Sequence, residues 1–267
     1  MSKPNVAAMQ NISSKSPVLT TRITGSGSGS GSGIVLAHGA GGGIDANFGS
    51  LMPLLAEGRT VTGSDYPADD TPLDLDAVAD ALVAAAATER FAIIGFSLGT
   101  AVAVRAAARH PERVTGLVLA AGFAAADNRL RLAMDLWTAL LEAGDRESFA
   151  RFVFASAFSP VFVNAMPPEA AGIAVKEFAA NVPGGTAAQA ALVRRVDTSA
   201  DLATIAVPTL VIEATEDDLV DPAAHRRLAA EIPGAEHVRI EAGHVLMLER
   251  PEEWHRAVLD FLARHGL

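Results

Sequence analysis

The sequence predicts an α/β protein with a mostly parallel central sheet, helices on both faces, and a block of helices inserted between two strands. Three observations predict it. Short, continuously apolar runs such as IVLA (34–37) and FAIIGF (91–96) read as strands buried on both faces. Segments of helical period alternate with them, as parallel strands joined by crossover helices require. This alternation stops after Gly122 and resumes at 209, with an Ala-rich helical stretch between.

In chain order, PVLTTRI (17–23) alternates and is rich in β-branched residues, so it reads as a strand. The buried strand at 34–37 follows, then a third candidate, TVTGSDY (60–66). Residues 73–89 carry apolar positions at helical spacing and lead into FAIIGF. LGTAVAVRAAARH (98–110) reads as a helix stopped by Pro111, and RVTGLVLAAG (113–122) as another strand. From 128 to 196 the period is helical, with breaks expected at SPVF (159–162), MPPEAAG (166–172) and VPGG (182–185). TLVIEA (209–214) is a strand, 222–232 a helix, EHVRIE (236–241) a strand and 251–265 an amphipathic closing helix. The chain thus divides into a first core segment (17–125), an inserted helical cap (126–200) and a second core segment (201–267).

The Gly/Ser run GSGSGSGSG (25–33) joins the first two strands and is expected to form a mobile turn, since extra loop length adds little closure entropy. It is the one repeat in the chain. The polar first 16 residues are expected to be a loose tail.

Composition excludes several functions. Half of the 267 residues are hydrophobic, enough for a sizeable core. A net charge of −10 argues against nucleic-acid partners and anionic membranes, both of which call for basic surfaces. With no cysteine there is no disulfide, thiolate metal site or thiol nucleophile. The N-terminal stretch lacks the apolar region of a secretory signal. The longest apolar run, 116–126, falls short of the roughly 18 residues of a membrane span. A cytoplasmic protein, monomer or homodimer, is expected.

The chemistry centres on GFSLG (95–99), a G-x-S-x-G string between a buried strand and a helix. Such a turn presents Ser97 at the carboxyl edge of the sheet, where open α/β folds bind ligands. A serine hydroxyl needs a base. Of the seven histidines, His110 reads as a helix C-cap, and His225, His237, His255 and His265 as solvated surface residues. His38 belongs to the loop AHGAG, and His244, in a loop after the last strand, is the candidate base. The acid that orients it is sought in VIEATEDDLVDP; Asp217 is the candidate and Asp218 the alternative. The order Ser, acid, His is that of one of the three known chain orders of this triad. Backbone N–H groups of Leu98 and of Ala40, in HGAGGG (38–43), are the expected oxyanion donors. His38, Gly39 and Phe96 flank these groups and are expected to line the substrate.

These strings resemble the α/β-hydrolase superfamily, specifically its serine esterase, haloperoxidase-like and carbon–carbon-bond hydrolase branch. The resemblance rests on AHGAG, GFSLG, VIEATEDDLVDP and AGHVLMLERPEEW and spans nearly the whole chain from 17. It implies eight strands, a helical cap between strands six and seven, no cofactor and no metal, with Ser97 as nucleophile, Asp217 as acid, His244 as base and Ala40 with Leu98 as oxyanion hole. Ala214 stands where members often have glycine, and DYPADDTP (65–72) replaces a glycine-rich loop. Serine at 97 argues against the epoxide hydrolases and haloalkane dehalogenases of this fold, which use aspartate there.

A dinucleotide fingerprint is a weaker reading of GAGGG (39–43), because the sixth position of G-x-G-x-x-G is Ile44. The expected function is hydrolysis of a small-molecule carboxylic ester or related acyl compound. The alternative is a same-fold enzyme that cyclises, rearranges or cleaves a carbon–carbon bond in a natural-product or thioester intermediate.

Overall fold

The structure is a computed structural model that describes residues 16–25 and 33–267. The expected tail and most of the Gly/Ser turn lie outside the described residues.

The first half runs β1 (Thr20–Thr24), β2 (Gly33–Ala37), α1 (Ile44–Phe48), α2 (Met52–Ala56), β3 (Val61–Asp65), α3 (Leu75–Ala85), β4 (Phe91–Phe96), α4 (Leu98–Arg109) and β5 (Val114–Ala120). Five helices follow: α5 (Asn128–Glu142), α6 (Arg146–Ala157), α7 (Pro160–Asn164), α8 (Pro168–Ala180) and α9 (Thr186–Val193). The chain then continues through α10 (Ser199–Leu202), β6 (Thr209–Ala214), α11 (Pro222–Glu231), β7 (Glu236–Ile240), α12 (Leu246–Glu249) and α13 (Pro251–His265).

The strands form one seven-stranded sheet in the order β1-β3-β2-β4-β5-β6-β7. Only β1 is antiparallel; it pairs with β3, while every other pair is parallel. The resemblance implies eight strands, but the described residues form seven, so the inserted helices lie between the fifth and sixth.

Alternation along the central strands divides the core in two. Val35, Phe91, Ile93, Leu117, Leu119 and Val211 face one layer, built on α3, α4 and α11. Ile34, Leu36, Ala92, Ile94, Val118, Leu210 and Ile212 face the other, built on α1, α2 and α13. Each fully buried aliphatic side chain contributes about 1.5–3 kcal/mol, which is why strands apolar at every position settle in the middle of the sheet.

The insertion leaves and rejoins the sheet at one neck. Ala125 and Asp197 form an antiparallel bridge, and Thr198 N–H donates to the Ala124 carbonyl at 2.7 Å. The helical run breaks near 159 and 166, as expected, and a new helix starts within each of these stretches. Ser159 caps α7, accepting from Phe162 N–H, and Pro168 opens α8; proline at a first helical turn forfeits no internal hydrogen bond. The break at 182–185 separates α8 from α9.

Candidate active site

Ser97 occupies the turn from β4 to α4 with φ 53° and ψ −118°, a left-handed conformation that costs a non-glycine residue of order 1–3 kcal/mol. The flanking glycines permit it. A Cβ on Gly95 would meet the Gly99 carbonyl oxygen at 2.5 Å, and one on Gly99 would run into the Ala37 carbonyl oxygen. Ser97 thus stands at the N-terminus of α4, where unpaired amides favour negative charge.

Asp217 follows β6 and His244 follows β7, so the carboxyl ends of three parallel strands bring the three residues together. Two backbone bonds tie the acid and histidine loops to each other: Thr215 N–H to Ile240 O at 2.9 Å and Glu216 N–H to Ala242 O at 3.0 Å. The side chains form a continuous chain. Ser97 Oγ donates to His244 Nε2 at 2.9 Å, and His244 Nδ1 donates to Asp217 Oδ2 at 2.6 Å. Asp217 Oδ1 is held by the N–H groups of Leu219 (2.9 Å) and Val220 (2.8 Å). All three residues are buried, and these partners select the Nδ1–H tautomer of His244. Asp218 points elsewhere: it is exposed and faces Arg129.

The HGAGGG loop approaches from β2. Gly39 N–H donates to Asn47 Oδ1 and Gly41 N–H to Gln189 Oε1, each at 2.9 Å. The N–H groups of Ala40 and Leu98 donate to no protein group among the described residues. His38 does not face the Ser97 cavity. Its Nδ1 donates to Gly39 O at 2.8 Å, its Nε2 accepts from Tyr66 N–H at 3.1 Å, and its ring packs against the Tyr66 ring at a tilt of 34°, centroids 3.9 Å apart. Burial pushes the His38 pKa down, which keeps it neutral in this role. Gly39 packs against Phe96 and Ser97 closely enough that a Cβ would stand 2.8 Å from the Phe96 ring.

The cavity over Ser97 measures about 140 Å³ and is lined by Ala40, Phe96, Ser97, His244 and a set of apolar side chains. Trp137, Phe149, Phe158 and Phe178 come from the inserted helices. Phe158 also stacks on two further aromatics of the insertion, Phe154 at 4.8 Å and Phe162 at 5.4 Å.

A second histidine departs from expectation. His225 is not solvated but fully buried, with Nε2 3.5 Å from Asp217 Oδ2. Positions 225, 228 and 232 share a face of α11, and Leu228 and Ile232 are buried with it. That spacing was the available signal, masked by the adjacent Arg226 and Arg227. Glu249 was also missed. It is buried; its Oε1 accepts from the N–H groups of Ser159 (2.9 Å) and Gly243 (3.2 Å), and its Oε2 from Ser159 Oγ (2.5 Å). It fastens the loop of His244 to the start of α7. Among the described residues no three His, Asp or Glu side chains converge as a metal site, and no helix is long and apolar enough to cross a membrane.

A serine on a strand-to-helix turn, hydrogen-bonded through histidine to a carboxylate, stands over a mostly parallel sheet covered by helices, which defines an α/β protein. The chain belongs to the α/β-hydrolase fold family, whose family model matches residues 34–251. It is 32% identical over 240 residues to the pyrrolizixenacetamide deacetylase of Xenorhabdus hominickii, spanning 86% of this chain and 90% of that one. It is 26% identical over 245 residues to RutD of Klebsiella pneumoniae, named for carbamate hydrolysis, spanning 86% and 91%. Among solved structures, the enol-lactonase from Burkholderia xenovorans LB400 superposes with a TM-score of 0.80 at 24% identity, covering 92% of this chain and 96% of that one.

Proposed function

We propose that the protein is a serine hydrolase that cleaves a carboxylic ester or related acyl bond through an acyl-enzyme. The observation that carries this reading is the unbroken hydrogen-bonded chain from Asp217 through His244 to Ser97, facing a cavity next to two backbone N–H groups that donate to no protein group among the described residues.

Ser97 Oγ attacks the substrate carbonyl carbon while its proton passes to His244 Nε2. The oxyanion rests on the N–H groups of Ala40 and Leu98, backed by the N-terminus of α4. The bond to the leaving group breaks as His244 returns the proton to it. Water then attacks the acyl-enzyme, giving its proton to His244; the bond to Ser97 Oγ breaks and the proton returns to serine. Asp217 holds the imidazole tautomer and stabilises the imidazolium.

Helices α5–α9 serve as a cap. They supply Trp137, Phe149, Phe158 and Phe178 to a cavity in which, among the described residues, His244 is the only titratable side chain. That lining favours a neutral, apolar acyl group of modest size. The relatives named for deacetylation and carbamate hydrolysis support cleavage next to an acyl carbonyl on a small molecule.

The test is steady-state hydrolysis of short-chain aryl esters. Ser97→Ala should lower kcat on the order of 10⁶-fold, as nucleophile removal does in other triad enzymes. An unchanged rate would refute the reading.

A further inference from the structure

Ala40 sits between two anchored amides, and one anchor comes from the insertion. On the core side, buried Asn47 of α1 accepts the Gly39 N–H. On the other side, Gln189 of α9, 2% exposed, accepts the Gly41 N–H at 2.9 Å. Gly41 takes φ 71°, and a Cβ there would lie 3.2 Å from both Thr186 Cγ2 and the Trp137 ring. The insertion therefore packs directly on the loop. Between these anchors the Ala40 N–H donates to no protein group among the described residues.

We infer that Gln189 is a positioning residue for the oxyanion-binding amide of Ala40, so that the inserted helices complete the catalytic geometry as well as roofing the cavity. This rests on the reading of Ala40 as an oxyanion donor. The physical argument is one of aim. The peptide carrying the Ala40 N–H is held at its carbonyl, Gly39 O, by His38 Nδ1 at 2.8 Å and by the Gly42 N–H at 3.3 Å, which closes a turn over Gly41; Gly41, lacking a side chain, can rotate and loosen that turn unless its own N–H is held. Gln189 holds it through a side-chain acceptor whose own position is set by burial in α9. Losing this bond frees the loop to turn the Ala40 amide away from the oxyanion. Because the oxyanion exists only in the transition state, the loss appears in kcat and not in substrate binding.

The experiment compares Gln189→Leu and Gln189→Met, which lack the acceptor at similar volume, with Gln189→Glu, which keeps it. Each folded variant is measured for kcat and KM on an aryl ester and for affinity to an aryl trifluoromethyl ketone, whose serine adduct carries an oxyanion. Two apolar variants are used so that the outcome does not depend on one of them folding. The expected result is a fall in kcat of roughly 10- to 100-fold for Leu and Met, an equal loss of ketone affinity, a KM within about threefold of wild type, and recovery in Glu. Apolar variants that keep both kcat and ketone affinity overturn the assignment. So does a loss shared equally by Glu. Wild-type protein that forms no ketone adduct at all instead overturns the serine-hydrolase reading, so the two failures are distinguishable.

Discussion

His225 Nε2 stands 3.5 Å from Oδ2 of Asp217, the same oxygen that receives His244 Nδ1 at 2.6 Å. The second imidazole is fully buried, and neither of its nitrogens has a hydrogen-bond partner among the described residues. Burial is the dominant influence on it and draws its pKa from the ordinary 6.5 down to about 4; Asp217 and Glu213 oppose this, while His244 and Arg226 reinforce it.

This arrangement makes the fold acid-sensitive. Between about pH 6.5 and 4 the unfolded chain binds a proton at His225 that the folded chain refuses, so stability is full above this window and falls as pH drops through it. The loss attributable to His225 is about 3 kcal/mol. Denaturant titrations at pH 7, 5.5 and 4 should record this slope, and His225→Leu should flatten it. Buried His38 is shifted in the same direction and should leave a residual slope in the variant.

Asp217→Asn should lower kcat roughly 10⁴-fold, because an amide cannot hold the same imidazole tautomer. Asp218→Asn, at an exposed site facing Arg129, should change kcat by no more than about twofold. Steady-state kinetics on both variants checks the assignment, and a reversed result would move the acid role to Asp218.

Glu249→Ala would leave the N–H groups of Ser159 and Gly243 and the Ser159 hydroxyl without their acceptor. Orphaning buried donors of this kind costs about 2–4 kcal/mol, which should lower the melting temperature by roughly 5–10 °C in a protein of this size. Thermal unfolding followed by circular dichroism measures it.

Trp137 defines one wall of the cavity and meets Phe149 edge-on at 4.9 Å. Trp137→Leu should shift the preferred acyl chain upward by roughly two carbons, since each methylene accommodated in an apolar pocket is worth 10-fold or more in kcat/KM. A panel of aryl esters from acetate to decanoate reads the shift.

The framework was legible because it depends on local rules. Strands apolar at every position had to be central, and GFSLG between a strand and a helix could form only a tight turn holding Ser97. The meeting of Ser97, Asp217 and His244 followed from each lying just past the end of a parallel strand. The unread parts depend on packing between distant segments. Gln189 sits in TAAQAALV, an Ala-rich stretch with no local feature, and acquires meaning only when α9 lies against Gly41. Glu249 was visible inside the motif around His244, but nothing near it in sequence announces Ser159 as its partner. His225 was read by its charged neighbours when its spacing from Leu228 and Ile232 already marked the inward face. The resemblance implies eight strands, whereas the described residues form seven, with β1 paired directly with β3.

The proposed chemistry requires Ser97 to be an activated nucleophile. Labelling with a fluorophosphonate and locating the adduct by peptide mass spectrometry tests this most directly. A single phosphonyl adduct on Ser97, absent in Ser97→Ala and strongly slowed in His244→Ala, is the predicted result. No adduct, or an adduct on another residue that persists in Ser97→Ala, would contradict it.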